Sequence, residues 1–160
     1  MESILQTIRE HGALDYGVLA VGVERAWVSR ADVAAFALDA LAAGDSRSEV
    51  IELAAPEDLD LDRVVHLLRR LADLDKLPSR CSNAALRRWM FGFLESIHNS
   101  RESADTKLDR LEDVYAMLGY PEELSECSKY FVPHEDRARG IQVGEVTASP
   151  LDAMARVLSQ

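Results

Sequence analysis

The sequence predicts an all-α fold: an irregular bundle of about six to eight helices, with room for a short β-like segment near residues 129–148. Three observations carry this prediction. Leu and Ala dominate the apolar residues while Glu, Asp and Arg supply the charged ones, a mixture that loses little side-chain freedom in a helix. Apolar residues recur at three- and four-residue steps along most of the chain. Ser, Asp, Gly and Pro stand where those stretches start and stop. With 160 residues, 48% of them hydrophobic, the chain is long enough to bury a core as one domain spanning 1–160.

Ile4, Leu5 and Ile8 share a face, so residues 2–11 read as a short helix ended by Gly12. Tyr16 to Val23 is apolar and short, and either helix or strand fits it. Ser29 with Asp32 resembles an N-cap with a carboxylate in the first turn. The helix they open, Ala31 to Ala43, is apolar on most sides, which places it in the middle of a bundle, and Gly44 stops it. Ser46 or Ser48 caps a short helix carrying Val50, Ile51, Leu53 and Ala54, and Pro56 ends it. Asp60 caps a stronger helix whose stripe of Leu61, Val64, Val65, Leu68, Leu71 and Ala72 is widened by Leu67 and Leu74. Leu77-Pro78-Ser79 is a turn.

Ser82 or Asn83 caps the next helix, whose set Leu86, Trp89, Met90, Phe93, Leu94 and Ile97 is the cleanest amphipathic pattern in the chain. Residues 103–118 form a helix with Leu108, Leu111, Tyr115 and Leu118 inward, stopped by Gly119 and Pro121. Pro121 starts a short turn through Leu124. Tyr130-Phe131-Val132-Pro133 and Ile141-Gln142-Val143-Gly144-Glu145-Val146 have β-type residues, which suits an extended pair or an ordered loop. Ser149-Pro150 opens a last helix to about Leu158.

Several chemistries drop out. A formal charge of −10 opposes gripping nucleic acid through its phosphates, and suits a soluble protein or one with a basic partner. Cys81 and Cys127 form no CxxC pair; they read as two buried thiols in a reducing compartment, with one disulfide between them as the alternative. The start Met1-Glu2-Ser3-Ile4 lacks the basic, then apolar, character of a signal peptide, and no apolar run reaches membrane-spanning length, so a cytoplasmic protein without a membrane partner is expected.

None of His11, His66, His98 and His134 sits at HExxH spacing, and no phosphate-binding glycine loop exists. Gly44-Asp45-Ser46 resembles an esterase nucleophile block, but a helix stop followed by a helix cap explains it better. No catalytic, cofactor or metal residue is assigned, and the protein is expected not to be an enzyme. An enzyme would announce itself by a closed pocket around Cys127, His134 and a carboxylate.

Charge is unevenly spread. Residues 1–62 hold 13 acidic and 4 basic side chains, 63–101 hold 3 acidic and 8 basic, and 102–126 hold 8 acidic and 2 basic. The plainest account is intramolecular pairing of basic with acidic helices. The helix at 103–118 fits that less well. Asp105, Asp109, Glu112 and Asp113 line one of its faces, where like charges four apart repel by roughly a few tenths of a kcal/mol. Such a ridge is either solvated or docked on a basic partner. Glu122, Glu123 and Glu126 extend the negative potential.

Trp27-Val28-Ser29, the run from Gly44-Asp45 through Ile51-Glu52-Leu53-Ala54, Arg88-Trp89-Met90, Leu111 through Pro121, and Lys129-Tyr130-Phe131-Val132-Pro133 together resemble an uncharacterised bacterial family known only as domain of unknown function two-two-four-seven. The likeness spans about Tyr16 to Leu158, and Tyr115-Ala116-Met117-Leu118-Gly119-Tyr120-Pro121 is its most specific part. Small acidic proteins of this kind are often encoded beside secreted bacterial toxins. The resemblance therefore implies an immunity protein that neutralises a toxin domain by direct binding, with a helical adaptor for an unrelated intracellular partner as the alternative. The expected contact residues are Asp105, Asp109, Glu112, Asp113, Glu122 and Glu123, with Tyr120, Tyr130 and Phe131 as aromatic anchors.

Overall fold

A computed structural model describes residues 2–55, 58–130 and 149–159. Every regular element among them is helical, as expected, and none is a strand. The β-like stretch expected near 129–148 falls, from residue 131 onward, outside the described residues. The chain divides into two compact units, Met1–Trp89 and Met90–Gln160.

The first unit holds α1 (Glu2–Glu10), α2 (Tyr16–Glu24), α3 (Arg30–Ala42), α4 (Ser48–Leu53), α5 (Leu61–Leu74) and the start of α6 (Ser82–His98). The ambiguous run Tyr16–Val23 proves to be a helix with every residue buried. Its type is set at its first turn. Asp15 accepts the backbone N–H groups of Gly17 and Val18 at 3.0 Å each, satisfying two donors that a helix start leaves open. Gly17 and Gly22 let neighbours approach this helix closely. A Cβ on Gly17 would lie 2.4 Å from the Ser79 carbonyl oxygen, and one on Gly22 would lie 2.6 Å from the Trp89 ring. Trp89 closes this core, donating its indole N–H to the Val18 carbonyl at 2.9 Å and stacking at a tilt on Trp27 at 5.2 Å.

The helix expected in the middle of the bundle, α3, lies at its edge instead. The Ser29/Asp32 capping box forms as expected, but only Val33 and Ala37 are fully buried, and Leu38 is 54% exposed. The apolar character of α3 comes largely from alanine, which favours helix without demanding burial. The core position belongs to α2.

Two further expectations fail at α4 and α5. Neither Ser46 nor Ser48 caps α4; Arg47 holds the cap position and makes no side-chain capping bond. Asp45 binds the Arg47 guanidinium, through Nε at 2.9 Å, and Arg47 reaches on to Asp75 at 2.6 Å. Asp60 does cap α5, and Leu67 joins its buried stripe, but Leu61 and Leu74 at its two ends are more than half exposed.

Four of the eight basic side chains at 63–101 pair with carboxylates of the acidic segment before them. Arg63 pairs with Glu52, Arg69 with Glu24, Arg70 with Glu49 and Arg88 with Asp15. Intramolecular pairing therefore accounts for these charges, as the plainest account held.

The second unit holds the rest of α6, α7 (Ala104–Met117), a 3-10 helix (Glu122–Cys127) and α8 (Pro150–Leu158). The 3-10 helix packs against α7 and α8, burying Leu111, Val114, Leu124, Cys127, Ala153 and Met154. Ser149 and Pro150 open α8 where expected, though Ser149 makes no side-chain capping bond. Tyr115, expected in the core, is half-buried, and Val114 takes the inward position. The turn after Pro121 runs further than expected, to Cys127.

Alanine in place of a mid-helix glycine ordinarily stabilises by about 0.5–1 kcal/mol. At Gly17 and Gly22 the sign should invert. Gly17→Ala and Gly22→Ala are each expected to destabilise by about 1–3 kcal/mol through overpacking. Urea unfolding checks this, and a variant as stable as its parent would contradict the close approach.

The bonds from Arg47 hold the Asp45 carboxyl down at about 2, against the partial burial that opposes ionisation. A depressed carboxylate contributes stability that is present above its unfolded value and lost as pH falls through the folded one. Asp45→Asn is therefore expected to be less stable than the parent near neutrality, and the gap should close between about pH 4 and pH 2. Denaturant midpoints measured across that range test it; a gap that stays constant refutes it.

Candidate functional site

The acidic ridge is built on α7. Ser103 caps the helix by accepting the Thr106 N–H at 3.2 Å, and Arg110 pairs with Glu102 at 2.7 Å beside the first turn. Asp105, Asp109 and Asp113, four residues apart, are all exposed. Glu112 departs from that line: it is half-buried and accepts the backbone N–H of Lys129 at 2.5 Å. The Lys129 ammonium meets Asp109 at 2.8 Å and lies 5.4 Å from the Tyr130 ring centre. Among the described residues, Lys129 is the cation bound to Asp109.

At the far end of α7, Gly119 turns left-handed at φ 82°, and Tyr120 follows at φ 59°, donating its N–H to the Tyr115 carbonyl at 2.9 Å. The Tyr120 ring meets Tyr115 edge-on at 5.2 Å and remains 66% exposed. Tyr130 is 62% exposed. Glu122 and Glu123 are exposed on the 3-10 helix, and Glu126 pairs with Arg156 at 2.9 Å. Phe131 lies outside the described residues.

The chain matches, over residues 5–155, a family of uncharacterised proteins conserved in bacteria. It belongs to DUF2247. No curated protein and no solved structure matches it.

Chemically, the described part of this DUF2247 chain offers carboxylates and phenol rings for contact. Among the described residues no group of three or more His, Cys, Asp and Glu side chains could hold a metal ion, and no helix is long and apolar enough to cross a membrane. An open groove of about 410 Å³ brings Glu24, Asp62 and His66 together over Val23, Leu61 and Val65. Glu24 is already bound to Arg69 there, and no nucleophile lines it. Of the Cys127 and His134 pair, His134 lies outside the described residues.

The contact residue missed from sequence is Lys129. It stands 17 and 20 residues from its carboxylate partners, a separation that helical spacing cannot signal. The reading of both cysteines as buried also needs correcting: Cys127 is buried and Cys81 exposed, both as free thiols. Cys81 stands just before α6, where its carbonyl accepts helix N–H groups and its side chain is left outside.

Burial, helped by the nearby Glu126 charge, pushes the Cys127 thiol up to about 11. A thiol reagent at neutral pH should therefore modify one equivalent quickly, at Cys81. Cys127 should react only as the protein unfolds. Two fast equivalents would contradict the burial of the second unit.

Proposed function

We propose that this protein acts by direct contact, as an immunity protein that neutralises a bacterial toxin domain through the acidic face of α7. The observation that carries this is the line Asp105, Asp109 and Asp113. Three like charges stand exposed at four-residue steps on a capped helix. Asp105 suits the helix start and Asp109 holds Lys129, while Asp113 lies late in the helix against the dipole. The line as a whole favours a basic partner. A toxin domain that cuts nucleic acid carries a basic cleft, and carboxylates on a rigid helix fit where phosphates would lie. Exposed Tyr120 and Tyr130 supply amphipathic anchor area, the kind of side chain from which durable binding energy comes. Long-range attraction of this sort speeds encounter and weakens with salt.

The reading predicts a toxin domain encoded beside the gene, and the test is co-expression with it; a neighbourhood without one would count against the reading. Rescue of growth and a stable co-purified complex are expected. Failure of both would favour a helical adaptor with an unrelated partner. In the complex, Asp109→Lys with Asp113→Lys is expected to slow association roughly tenfold at low salt. The helical circular dichroism and melting point should change little. An unchanged association rate, or a double variant that no longer folds, would remove the ridge from the interface.

A further inference from the structure

The acidic face already carries a cation of its own, and the geometry shows how that cation is held. The backbone N–H of Lys129 is fixed to Glu112 at 2.5 Å. From that anchor the side chain reaches Asp109 at 2.8 Å and passes 5.4 Å from the Tyr130 ring centre. Leu124 and Cys127, a few residues earlier, are buried, so the segment is seated without help from the ammonium. The Asp109 side chain is 70% exposed even with Lys129 on it, which leaves a second cation an open approach to the same carboxylate.

We propose that Lys129 is an intramolecular competitor: its ammonium occupies Asp109 in the free protein, and an arginine of a basic partner segment displaces it. The proposal rests on the α7 face being the docking surface. Displacement has a chemical direction. A guanidinium binds a carboxylate through two parallel N–H groups and stacks on an aromatic ring, whereas an ammonium is a single, strongly hydrated point charge. Tyr130 beside Asp109 offers the ring for such stacking. The Glu112 bond keeps the backbone of Lys129 in place while its side chain swings out, so the face opens without unfolding. The competitor raises the threshold for binding: isolated cations in solution gain little, and a segment with several arginines gains enough to dislodge it.

A labelled hepta-arginine peptide, followed by fluorescence anisotropy at low salt, is the probe. Lys129→Met is expected to tighten binding by roughly two- to fivefold, the span of an exposed ion pair. Lys107→Met removes the same charge from α7, where the Lys107 ammonium donates to the His98 carbonyl, and is expected to tighten binding by less than half as much. In an Asp109→Asn background, Lys129→Met should give no gain. In the wild-type protein, the Lys129 Cε resonance should shift on titration with the peptide, a measurement that needs no variant. Equal gains from the two lysine variants, a gain that persists in Asp109→Asn, or a stationary Cε resonance would overturn the competitor role while leaving the docking face intact. Absence of peptide binding by every form would overturn the docking face, and the competitor role with it.

Discussion

The first unit hangs on one carboxylate. Asp15 caps α2 through the N–H groups of Gly17 and Val18, accepts the Ser79 hydroxyl, and meets the Arg88 guanidinium, which also donates to the Ala13 carbonyl. Three stretches far apart in the chain thus converge on a group that keeps less than a fifth of its side chain in water. A charge so desolvated is tolerable only when its acceptor capacity is filled, and here it is. With the first turn of α2 pinned, its later residues have a fixed rotation: Gly17 faces Ser79, Gly22 faces Val28 and Trp89, and the Val18 carbonyl faces the Trp89 indole.

The two units differ in how their charges are paired. In the first, arginines of α5 and α6 are matched to carboxylates of α2, α4 and the α2 cap, and the Asp45–Arg47–Asp75 chain ties a loop to the end of α5. Exposed pairs of this kind contribute little each, but together they leave few positive charges unmatched. In the second unit, carboxylates outnumber cations along α7 and the 3-10 helix, and Lys129 offsets only part of the excess. The excess negative charge is shared by both units: residues 1–89 hold 15 acidic and 11 basic side chains, and 90–160 hold 13 acidic and 7 basic.

Helix positions were legible because caps and periodicity are local: Ser29 with Asp32, Asp60, and Ser149 before Pro150 all mark real helix starts. Burial was less so, since it depends on neighbours distant in sequence. The alanine-rich α3 was expected in the middle and lies at the edge, while α2, whose type was left open, takes the core: alanine is apolar but needs no cover, and glycine admits close packing. Leu61 and Leu74 fit the α5 period yet sit at its ends, beyond the packed middle. At the acidic face, the carboxylate line was visible as a four-residue repeat, whereas the lysine that answers it arrives from another element.

The paired left-handed residues Gly119 and Tyr120 matter for how a surface ring behaves before it meets anything. Pro121 limits the backbone on one side, the Tyr115 carbonyl ties the amide on the other, and the Tyr115 ring braces the phenol from below. A ring carried on a main chain held this way has its Cα–Cβ direction set in advance, so association costs little backbone ordering at that point.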